Sequence, residues 1–135
     1  NRKMIITKKG IKTIVEKTKT GFSAYTEEYP VFTTGRTLSE LLNNIVEALN
    51  LYFEDDGLQV TPKNVKLEID LKQFFQYYRV INAKFLAERI GMNPTLLSQY
   101  VQGRKKPSQQ QTEKILEGIH SIGRELAEIS LVHNE

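Results

Sequence analysis

The side chains best suited to chemistry in this chain are cations, and they are clustered. Between Arg79 and Pro107 stand six basic residues and one acid, Glu88, with Arg104, Lys105 and Lys106 consecutive. Such clustering suits the binding of phosphates along a nucleic-acid backbone. The division of charge points the same way. Residues 1–70 carry ten Lys or Arg and ten Asp or Glu, whereas residues 71–135 carry nine and six, so the whole net charge of +3 lies in the second part. Catalytic patterns are missing: there is no Gly-rich phosphate loop, no Gly-x-Ser-x-Gly and no HExxH. His120 and His133 have no cysteine partner and read as helix surface.

Two short helices must carry that cluster. Asn82 is a good N-cap, and Ala83–Ile90 puts Leu86, Ala87 and Ile90 on one apolar face. Gly91 then stops the helix at low cost. Asn93 caps again, Pro94 takes the first helical position, where its missing N–H is harmless, and Leu97 and Val101 face inward up to Gly103. Helices this short are marginal alone, so neighbours must hold them, and Ala87 is small enough for a close crossing.

The spacing of Ala87, Gly91 and Leu97, with the trailing QGRKKPS, resembles the helix-turn-helix of phage-repressor-like DNA-binding proteins. The resemblance implies that Pro94–Val101 enters the major groove, presenting Pro94, Thr95, Ser98 and Gln99 to base edges. A glutamine can pair bidentately with adenine, and a threonine methyl can pack on thymine. It also implies phosphate contacts from Asn82, Lys84, Gln102, Arg104, Lys105 and Lys106, which set position and affinity. Pro94 departs from the family, which often has a hydrogen-bonding side chain there.

The 135 residues suit one domain or two small ones, and 39% hydrophobic with 26% charged residues is a soluble globular composition. No run approaches 18 apolar residues, which excludes a membrane helix. The basic start NRKMIITKKG lacks the apolar core of a signal peptide, and Asn1 in first position suggests trimming, with Met4 a candidate natural start. The absence of cysteine rules out disulfides and suits the cytoplasm.

Before the basic half, strands are expected at residues 11–17, 22–25, 31–34 and 65–70, the first three as an antiparallel meander. A helix is expected from Thr37, with Thr37 and Glu40 as a capping box, through Glu54. Its apolar side runs from Leu38 to Phe53, and Glu40, Asn43, Asn44, Glu47 and Asn50 face solvent. The order is βββαβ, a small sheet covered on one face by a helix.

The stretch from VEKTKTGFSAY through TTGRTLSELLNNIVEAL resembles the N-terminal domain of HicB-type antitoxins, although Tyr29-Pro30-Val31 replaces that family's usual Pro-Gly-Cys run. It implies an α+β protein: a partial RNase H-like domain over residues 1–70, then an all-α helix-turn-helix domain over 71–135. It also implies a HicA-like RNA-cleaving toxin as partner. Tyr25, Glu27, Glu28 and Tyr29 share one turn-rich edge and are the expected toxin contacts, acids flanked by aromatics that imitate RNA. An RNase H-like fold raises metal-dependent cleavage, but Glu16, Glu54, Asp55, Asp56, Glu68 and Asp70 form no convergent set. Neither an enzyme nor a cofactor is expected.

Residues 71–78, LKQFFQYY, read as a helix under the two-helix pair, and Ser108 caps a last helical region. There Ile115, Ile119, Ile122, Leu126 and Ile129 form a heptad-like seam, with a break near Ser121 allowed by Gly118 and Gly123. The seam either completes the domain core or joins copies through Ile119, Ile122, Leu126 and Ile129 into a homodimer or higher oligomer. The expected function is an antitoxin that binds its toxin and represses its own operon at operator DNA. The alternative is a repressor whose first domain senses a small ligand or only oligomerises.

Overall fold

The computed structural model describes residues 4–5 and 10–133; residues 1–3 and 6–9 of the basic start lie outside the described residues. The chain is mixed α+β, with a four-stranded mixed sheet and, among the described residues, five α-helices. It divides into two compact units, Asn1–Gln73 and Phe74–Glu135. The division falls inside a helix, whereas the sequence suggests a boundary just before it.

In the first unit the strands are β1 Met4–Ile5, β2 Ile11–Lys17, β3 Phe22–Thr26, β4 Phe32–Gly35, β5 Leu58–Gln59 and β6 Val65–Ile69. Helix α1, Leu38–Tyr52, lies between β4 and β5. The main sheet runs β4-β3-β2-β6. β2, β3 and β4 are an antiparallel meander, but β6 returns to lie parallel to β2, with Ile11 opposite Val65 and Val15 opposite Ile69. A separate parallel pair, β1 with β5, was not expected.

Alternation along each strand sorts side chains by face. Ile11, Thr13 and Val15 of β2, and Phe22, Ala24 and Thr26 of β3, are buried. Packed over that face, α1 contributes Leu41, Ile45 and Leu49 at helical spacing, each fully buried. Thr37 caps α1 by accepting from the Glu40 N–H at 3.0 Å. The reciprocal half of the box is replaced: the Glu40 carboxylate lies 3.8 Å from Arg36 instead. Two amides expected in solvent are tethers. Asn44 donates to the Thr34 carbonyl at 2.8 Å, and Asn50 donates to the Val60 carbonyl at 3.1 Å while accepting from its N–H at 2.6 Å. Backbone groups without a ladder partner must be satisfied somehow, and an amide offers both a donor and an acceptor.

Helix α2, Leu71–Tyr77, is capped by Asp70, which accepts from the Gln73 N–H at 2.8 Å, and spans the division between the units. The second unit then holds α3 Ala83–Ile90, α4 Pro94–Val101 and α5 Gln109–Glu128. α3 packs on both α4 and α5. Phe75, Leu86, Ala87, Met92, Leu97, Tyr100, Ile115 and Gly118 are the buried residues of this unit. Tyr100 is buried where Val101 was expected, and Val101 is only half-buried.

α5 is one unbroken helix; no break occurs near Ser121, and Ile129 caps its end in extended backbone. Propensity yields here to packing. A Cβ at Gly118 would lie 2.4 Å from Ile90 Cγ2 and 3.3 Å from Leu86 Cδ1, so glycine is what lets α5 approach α3. At Gly123 a Cβ would meet nothing within 4 Å. Gly123→Ala is therefore expected to stabilise by about 0.5–1 kcal/mol. Gly118→Ala should instead destabilise by about 1 kcal/mol net, since overpacking of about 1–3 kcal/mol outweighs the propensity gain. Denaturant unfolding of both variants checks the contrast, and equal stabilisation would show that Ile90 yields freely.

Candidate functional site

The two-helix pair is set by its caps. Asn82 accepts from the Phe85 N–H at 3.1 Å and opens α3. Gly91 takes φ +70°, a left-handed conformation that side chains disfavour, and the Met92 N–H reaches back to the Ala87 carbonyl at 2.9 Å. Asn93 accepts from the Thr95 N–H at 2.8 Å, and Pro94 starts α4. Three residues thus separate the helices, and fully buried Ala87 and Leu97 face the α3–α4 packing.

On the outer side of α4, Pro94 and Thr95 are exposed at its first turn, and Ser98 and Gln99 are half-buried. Ser98 Oγ accepts from Gln102 Nε2 at 3.2 Å, so a residue expected to read bases and one expected to hold phosphate share a bond. The Gln99 carbonyl accepts from the Arg104 N–H at 2.9 Å and the Lys105 N–H at 3.3 Å. Those bonds fold the basic loop back onto α4. Arg104, Lys105 and Lys106 are exposed, as are Asn82 and Lys84 on α3. Among the described residues none of these cations has an ion pair. Arg89 differs: it pairs with Glu125 of α5, so counting basic residues along the chain overstates the free charge by one.

The expected seam divides. Ile115 is buried and Ile119 and Ile122 are half-buried, while Leu126 and Ile129 are 64% and 61% exposed. Its first part packs within the unit and its end is open. Leu126→Lys with Ile129→Lys is expected to leave stability within about 0.5 kcal/mol and to give a monomer in sedimentation; a surviving dimer would remove the stripe as an interface.

The expected toxin edge does not assemble as one surface. Glu27 and Glu28 are exposed in the β3–β4 turn, with Glu27 3.7 Å from Lys12, a solvent-facing pair worth little. Tyr25 points to the open face of the sheet, 42% exposed. Tyr29 turns to the helix side, its ring 4.9 Å from Phe53 and 5.7 Å from Tyr52. The reason is the pleat: Tyr25 lies on the odd face of β3, and the chain has reversed before Tyr29. Tyr25's actual neighbour is Phe32, opposite it on β4 and 66% exposed. Strand alternation carried that signal, since Val31 and Phe32 cannot share a face.

Among the described residues no three His, Asp or Glu side chains gather as metal ligands, and no helix is long and apolar enough to cross a membrane. No family model matches the chain, and no curated protein matches it.

Proposed function

We propose that this chain is a HicB-type antitoxin, which neutralises a HicA-like RNA-cleaving toxin with its N-terminal unit and represses its own operon through a helix-turn-helix in its second unit. The observation that carries the reading is the basic loop tied to the Gln99 carbonyl. It joins phosphate-binding cations to the face of α4 that bears Thr95, Ser98 and Gln99. A DNA-reading helix needs that combination, since backbone contacts set its register and base contacts its preference. The α3–Gly91–α4 geometry supports the same reading. The partial RNase H-like assignment rests on the resemblance of residues 11–70, and the β4-β3-β2-β6 sheet covered by α1 is compatible with it.

Two measurements test it: selection of bound sequences from a random duplex pool, and co-expression with the protein encoded beside this chain. Recovery of a palindromic site and rescue of growth support the antitoxin reading. Site recovery without rescue would leave the repressor alternative, and recovery of neither would end both.

A further inference from the structure

The first unit is balanced in charge as a whole but not from place to place. Between Arg36 and Lys63, themselves the only basic residues of that stretch, stand five acids: Glu40, Glu47, Glu54, Asp55 and Asp56. The rest of residues 1–70 carries eight Lys or Arg and five Asp or Glu. The acidic excess falls on α1 and on the single turn Glu54–Asp56 that follows it. Arg36 is engaged by Glu40 at the start of the helix. Among the described residues Glu47, Glu54, Asp55 and Asp56 have no ion pair. Helical spacing then brings two of these acids together. Glu47 and Glu54 are seven residues apart, about two turns, and line one open groove with Val46 and Leu51 on the outer side of α1. Leu51 is 65% exposed there, against fully buried Leu41, Ile45 and Leu49 on the inner side.

Charge decides what such a face can take. Carboxylates around an apolar side chain repel phosphate and attract lysine or arginine, which excludes nucleic acid. A symmetric contact with a second copy would bring α1 against α1 and set Glu47 and Glu54 against their own counterparts, and like charges so placed oppose association. A basic protein meets neither obstacle. We infer that the outer face of α1 is the docking surface for a basic protein, whose lysines or arginines meet Glu47 and Glu54 while an apolar side chain seats on Leu51. The inference rests on the antitoxin reading, with the toxin as that protein, and it moves the toxin contact from the β3–β4 turn to α1.

The test uses the full chain and the small protein encoded beside it, with affinity measured by calorimetry and association by stopped flow at several salt concentrations. Glu47→Lys with Glu54→Lys is expected to slow association about tenfold and to remove most of its salt dependence. Leu51→Ser should weaken binding about tenfold or more through faster dissociation. Both changes lie on exposed positions, so melting and operator binding should stay as they are. Binding of either variant within twofold of the unaltered chain would overturn the surface and leave the function standing. No binding by the unaltered chain would overturn the function and the surface with it. Self-association of the chain alone, lost both in the Glu47→Lys, Glu54→Lys variant and when Arg104, Lys105 and Lys106 are replaced by alanine, would assign the face to the basic loop of a second copy, and the proposal would fall.

Discussion

Replacing Arg104, Lys105 and Lys106 together by alanine is expected to weaken binding to every duplex alike and to flatten its salt dependence. Each neutralised phosphate contributes about 0.9 to the slope of log affinity against log salt, so three contribute about 2.7. Between 50 and 200 mM salt the unaltered chain should then lose about 40-fold more affinity than the variant. The backbone bonds to Gln99 do not depend on these side chains, so the loop should keep its place. Gln99→Ala makes the contrast: a cost of about 1–3 kcal/mol at one base position and an unchanged slope. Titrations at several salt concentrations separate the two, and equal slopes for the triple variant and the unaltered chain would remove the loop from the interface.

Leu97→Ala is expected to unfold the second unit. Leu97 is fully buried on the face of α4 turned to α3, and truncating such a leucine costs about 3–5 kcal/mol. A unit of this size holds only about 3–5 kcal/mol in total. Operator binding should vanish at 37 °C, while binding to the toxin, assigned to the first unit, persists. Thermal melting followed by circular dichroism checks it. A loss below about 1 kcal/mol would mean that the site collapses without a cavity.

Local chemistry was the legible part of the sequence. Asn82, Asn93 and Ser108 each cap the helix expected of them, because a short polar side chain before an apolar periodic run has one good use. Gly91 and Gly103 hold positive φ at the ends of α3 and α4 for the same kind of reason. What escaped depends on partners distant in sequence. Val65–Ile69 reads as a strand from its alternation, but nothing in it says that it pairs with β2 in parallel. The β1–β5 ladder is two residues long, too short for any period to appear. Gly118 looks like a weakness in α5 until Ile90 is seen against it. At the candidate sites, residue types marked Gln99 and Arg104–Lys106, whereas register alone brings Phe32 beside Tyr25 and sends Tyr29 away.

The parallel pairing of β2 with β6 also sets an order of events during synthesis. β2 can join β3 and β4 early, but its other edge waits for residues 65–69, after α1 has been made. Non-local pairing of this kind closes slowly, because the loop entropy must be overcome before the contacts form. Once Ile69 has left the ribosome the first unit has every strand of its main sheet, while α3, α4 and α5 are still to come. A nascent chain can thus complete its sheet before its basic half exists. Chains stalled in the second half would still display the surface assigned to the toxin, and lack the one assigned to DNA.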